Sequence, residues 1–130
     1  MANTFSNTVI LDSPNRVVVI ETMIGDGTAI ADRVVVDKSA LTVFPSASQL
    51  KIEKIQYCIY GISMLLEWDA TTDTTIAVLG GVGGNSGTLD FTDCPIPDNT
   101  AVAGRSGDIV LTANSIANPS SYTLVFYCRL

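Results

Sequence analysis

The chain is predicted to be all-β: a single-domain antiparallel β-sandwich, jelly-roll-like, with a short N-terminal arm. Three observations predict this. Side chains alternate with a period of two through several runs, above all KIEKIQYCIYGISMLLEW at residues 51–68, and that is the period of a strand. Clusters of Gly, Pro, Asn, Asp and Ser punctuate the chain at short intervals, dividing it into about eight strands. No run combines helical periodicity with a cap at its start. An immunoglobulin-like sandwich is the competing arrangement.

Residues 1–7, MANTFSN, read as the arm, and 8–130 as the sandwich domain. A strand is expected over Thr8–Leu11, then a turn at DSPN, where proline presets φ and Asp and Asn bond their own backbone. RVVVIETM, Arg16–Met23, follows as a strand whose apolar run suggests burial on both faces. GDGT at 25–28 is a loop, Asp32–Asp37 a further strand, and SALTVFPSASQ a connection with room for one helical turn before Pro45.

The run from Lys51 to Trp68 organises the chain. Ile55, Tyr57 and Ile59 share one face, Gln56, Cys58 and Tyr60 the other; beyond Gly61, Ile62, Met64, Leu66 and Trp68 share a face. Gly61 sits where a bend re-aims the second half. Both faces are largely apolar, so the pair is expected to be covered on two sides. A buried helix is disfavoured by the β-branched and aromatic content.

DATTD at 69–73 is a turn, TTIAVL a strand, GGVGGNSG at 80–87 a surface loop, and TLDFTD a short strand. CPIPDN is an extended link limited by its prolines. Asp108–Ala113 is a strand, SIANPSS a turn, and SYTLVFYCRL, 121–130, the closing strand.

At 130 residues the chain suits one domain. Charged residues are 15%, against about 25% in a typical soluble domain, and hydrophobic residues are 47%. That excess of apolar surface finds its simplest outlet in an assembly. With net charge −6, nucleic acid and anionic membrane surfaces are poor partners. No apolar run reaches the roughly 20 residues of a membrane-spanning helix. The N-terminus lacks the pattern of a secretory signal, so synthesis in a cytoplasm is expected. Cys58, Cys94 and Cys128 are an odd set without a C-x-x-C spacing; Cys58 and Cys128 read as small buried apolar groups.

Catalytic patterns are thin. The absence of histidine closes the Ser-His-Asp and Cys-His classes and disfavours structural zinc. GGVGGNSG lacks the lysine of a phosphate-binding loop and precedes no helix. The pairs Asp69 with Asp73 and Asp90 with Asp93 lie where turns are expected, so capping is the simple reading, ahead of glycosidase or calcium chemistry. Glu67 has no nameable partner. Trp68 reads as core rather than as a sugar-stacking platform. No enzyme activity and no cofactor or metal is expected.

Two blocks then carry a resemblance: I-x-x-I-x-Y-x-x-x-G…L-x-W-D-A-[TS]-T-D over Ile52–Asp73, and G-x-[ST]-G-D-I over Gly104–Ile109 with its closing SYT strand. With VVVIETMIGDGT and DRVVVDKSAL, the chain resembles small virion proteins of tailed bacteriophages of the cyanophage and aquatic type, and the resemblance spans most of it beyond the arm. It departs at GGVGG and at the cysteines. What the resemblance implies is a capsid decoration (cement) protein. Such a protein sits on the outer surface of the head, binds the major capsid protein, often as a homotrimer, and stabilises the head against its packaged DNA. Other virion roles (head–tail connector, fibre, minor coat protein) and a carbohydrate-binding sandwich for host attachment are the alternatives. Multivalent attachment would raise avidity by about 10² to 10⁴. Phe5, Val9 and Ile10 are the expected capsid or oligomer contacts, through strand addition. Deleting residues 2–7 is then expected to weaken capsid binding and leave melting unchanged.

Overall fold

Two long strands form the spine of the molecule. In the computed structural model, which describes residues 3–45, 49–81, 83–98 and 103–129, β4 runs from Lys51 to Trp68 and β8 from Ile109 to Arg129. They pair antiparallel along nearly their whole lengths. The other strands are β1 (Thr4–Asp12), β2 (Arg16–Gly25), β3 (Ile30–Val36), β5 (Thr74–Gly81), β6 (Asn85–Asp90) and the short β7 (Ile96–Pro97).

Gly61 bends the spine, as the sequence predicts. Its φ of +67° lies in the left-handed region, which costs glycine little. The register between β4 and β8 jumps there, from Tyr60↔Ser121 to Ile62↔Ile116. On one side of the bend the order is β1-β2-β8-β4 with β6 and β7 beyond; on the other it is β3-β8-β4-β5. All pairings are antiparallel. The sheet folds over its own core as a single all-β sandwich, nearly closed into a barrel.

The enclosed face carries the period-two residues. Val17, Val19 and Met23 from β2, Ile52, Ile55, Ile59, Ile62, Met64, Leu66 and Trp68 from β4, and Tyr122, Leu124, Phe126 and Cys128 from β8 are buried. Burial of this apolar area, at roughly 25 cal/mol per Å², is the main favourable term.

The outward face differs from expectation. Neither β2 nor β4 is covered on two sides: Ile24, Gln56, Cys58 and Tyr60 are exposed, and Val18, Ile20 and Thr22 half-buried. Cys58, expected in the core, therefore lies on the surface with Cys94; only Cys128 is buried, and all three are free. Outward side chains of successive strands line up in rungs. One rung is Ser6–Thr22–Thr123–Cys58–Ser86. Its neighbours are Thr8–Ile20–Val125–Gln56–Thr88 and Thr4–Ile24–Ser121–Tyr60.

Three further expectations are corrected. Residues 4–7 are not an arm: they belong to β1, paired from Thr4↔Ile24 through Asn7↔Glu21; residues 1 and 2 lie outside the described residues. GGVGGNSG is not a loop throughout: Gly80 and Gly81 end β5 and Asn85 already starts β6. SIANPSS is no turn; β8 continues through it, with Pro119 in the irregular stretch opposite Gly61, where a missing ladder bond is tolerated. The helical turn expected in the 39–49 connection is a 3-10 turn over Lys38–Ala40, capped by Asp37 accepting from the Ser39 amide at 3.0 Å.

Candidate contact surface

β1 is an edge strand whose backbone ladder runs to β2 alone among the described residues. Its register slips between Val9↔Val19 and Leu11↔Val18, so Ile10 is a bulged residue with no partner on β2. A bulge turns an edge strand and re-aims its side chains. Here it leaves three successive apolar residues in water: Val9 is 42% exposed, Ile10 56% and Leu11 42%.

The next residue anchors a neighbouring segment. The Asp12 carboxylate accepts the Thr42 amide at 2.6 Å, the Val43 amide at 3.1 Å and the Phe44 amide at 2.8 Å. Burial works against that charge, but the three amides and the Thr42 hydroxyl outweigh it and hold the carboxyl below its ordinary range. The clamp holds Phe44 buried in the core and Val43 half exposed. Val9, Ile10 and Leu11 before Asp12, and Val43 in the segment it holds, are thus exposed apolar side chains.

Of the predicted contacts, Val9 and Ile10 are exposed on this edge and Phe5 is not. The Phe5 ring packs against the core and lies under the Arg33 guanidinium, 3.9 Å from it. Leu11 and Val43 were missed. Leu11 continues the apolar run TVIL and was readable; Val43 depends on the clamp from Asp12, thirty-one residues away, which no local signal announces.

A buried polar centre lies behind the N-terminal half of β1. Glu21 points inward between Val19 and Met23 with no exposed surface. Its Oε2 accepts from Arg33 Nε at 2.6 Å and its Oε1 from Arg33 Nη2 at 3.1 Å and Asn7 Nδ2 at 2.9 Å. Asn7 Nδ2 also donates to the Val35 carbonyl at 2.8 Å. These bonds tie β3 to β1 and β2, with neither of which it shares a backbone ladder. Such complete pairing is what a buried carboxylate requires.

The carboxylates named in the sequence are mostly turn caps. Asp73 accepts the Ala70 amide at 3.0 Å, Asp90 the Thr92 amide at 2.9 Å, and Asp69 the Ser106 hydroxyl at 2.7 Å. The two blocks that carry the phage resemblance meet at that last contact: the Thr71 amide donates to the Ala103 carbonyl and the Asp69 amide to the Asp108 carbonyl, each at 3.0 Å. Arg105 of the second block pairs with the buried Asp98 at 2.8 Å. Both blocks are therefore a structural joint.

Glu67 finds company that the sequence did not reveal. Oxygens of Asp32, Glu67 and Asp73 lie within 4.8 Å of one another, the one such group among the described residues with the donors to hold a cation. Burial, then the charges of Asp73 and Asp32, raise the Glu67 carboxyl above its ordinary value. No family model, curated protein or solved structure matches the chain.

Proposed function

We propose that this chain is a bacteriophage capsid decoration protein that docks on the outer surface of the head through the β1 edge and reinforces the coat lattice. The observation that carries the reading is the Val9–Ile10–Leu11 edge, three exposed apolar residues on a strand with an open side. Such an edge binds protein by apolar burial and strand addition. It is backed by a rigid antiparallel body, and the sequence resemblance supplies the partner class. Many copies on a repeating lattice convert a small contact into firm attachment, by about 10² to 10⁴.

The test uses heads stripped of this chain and the purified protein. Wild type is expected to rebind at a copy number comparable with that of the major coat protein, and Ile10→Asp to lose binding while melting like wild type. Equal binding by Ile10→Asp would remove the β1 edge from the contact. A few copies per particle would assign the chain to the neck or tail, and absence from the virion would overturn the proposal.

A further inference from the structure

The outward face of β1-β2-β8-β4-β6 is unusual for a protein of net charge −6. Its three adjacent rungs, centred on Thr22, Thr123 and Cys58, contain no charged side chain. Charges begin only at the next rung, with Lys54 opposite Asp90. The face is also not simply a solvated one: Ile24 is 71% and Tyr60 51% exposed, with Ile20 and Val125 half-buried between the hydroxyls.

We infer that a second copy of this chain packs on that face, sheet against sheet about a two-fold axis. Charge selects the occupant. Two copies at −6 repel, and this is a face on which they meet without opposing carboxylates; depletion of charge is the compositional mark of an interface core. Hydrogen-bond chemistry agrees. Ser and Thr hydroxyls each donate and accept, so a hydroxyl-lined face satisfies itself when it meets its own copy. Fourteen positions, about 4.8 Å apart between strands and about 6.8 Å apart between rungs, cover about 460 Å² per copy. The pair therefore buries about 900 Å², the range of a weak, transient interface, and the dimer is reversible. A patch that meets itself closes at two subunits, not at the three that the phage resemblance implies. The inference is independent of what the β1 edge binds.

Sedimentation velocity over a concentration series tests it, together with alkylation of the cysteines followed by mass spectrometry. Wild type is expected to pass from monomer to dimer as concentration rises. Cys58 alkylation slows in step with the dimer fraction, while the exposed Cys94, outside the face, reacts at a constant rate. Thr123→Lys, at the centre of the face, remains monomeric, and Val78→Lys, on β5, dimerises like wild type. Should Thr123→Lys fail to fold, the Cys58 protection of wild type decides alone. A monomer at every concentration, a trimer, a dimerising Thr123→Lys, or Cys58 reacting at a constant rate would each overturn the inference. So would Cys58 shielded only after capsids are added, which would hand the face to the coat lattice.

Discussion

Tyr122 donates its hydroxyl to Glu21 Oε2 at 2.5 Å inside the core, joining β8 to β2 across 101 residues of sequence. Together with Arg33 and Asn7 this satisfies a fully buried carboxylate whose removal from water is costly.

The members of that centre are predicted to differ sharply on mutation. Tyr122→Phe removes one bond and costs about 1–3 kcal/mol. Arg33→Leu leaves the buried Glu21 charge without its cation and costs more, about 3–5 kcal/mol. Glu21→Leu is milder, because Arg33 is partly exposed and can turn to water. Urea unfolding of the three variants ranks them. The same site sets an alkaline limit. Burial first, then Glu21, raises the Tyr122 hydroxyl above its ordinary value. Its contribution is complete below about pH 10, the unfolded value, and lost as pH climbs beyond it. Tyr122→Phe flattens that alkaline limb.

Truncation of residues 2–7 is predicted to destabilise the fold, contrary to the expectation drawn from the sequence. It removes the ladder from Thr4 to Asn7, the Asn7 bonds to Glu21 and Val35, and the Phe5 ring beneath Arg33. A loss of more than about 2 kcal/mol follows from the uncovered polar groups alone. Thermal melting checks it; an unchanged Tm would mean that β1 is dispensable.

Gly61→Ala is predicted to cost about 1–3 kcal/mol. The added methyl would stand 3.0 Å from the Pro119 carbonyl oxygen and 3.3 Å from Ala117 Cβ, on a backbone at φ +67°. Gly80→Ala, where the nearest atom is Ser63 Oγ at 3.8 Å, is the matched control and should be nearly neutral. Denaturant midpoints of the two compare bend with edge.

Asp12→Ala is predicted to loosen the 42–44 segment, with a defined pH dependence. The folded carboxyl titrates below its ordinary value, so the stability it contributes is present above the unfolded value and lost as pH falls through the folded one. The gap in Tm between wild type and Asp12→Ala is therefore full at about pH 7 and closes below about pH 4. A gap that persists in acid would show that the clamp does not depend on charge.

Much of the fold was legible because burial and periodicity coincide. β4 and the closing part of β8 follow from alternation, β2 from its apolar run, and the bend at Gly61 from a glycine between two apolar halves. The errors share a cause: polar or proline-bearing residues doing structural work. Asn7 made TFSN look like a loose arm, yet its amide bridges Glu21 and Val35. Pro119 suggested a turn inside what is one strand. Glu21 shares parity with Val17, Val19 and Met23, a signal that was available, but its partners Arg33 and Tyr122 are set by tertiary structure. Apolar content on both faces of β4 suggested double coverage; the sheet covers one face only.

The direction in which β1 and β8 run has a mechanical result. β2 lies between them and is antiparallel to both, so Thr4 stands at one end of this sheet and Arg129 at the other. Tension applied between those two residues pulls along the strands and loads the β1–β2 and β2–β8 ladders in shear. Many hydrogen bonds then resist together, where a force across the strands would unzip them singly.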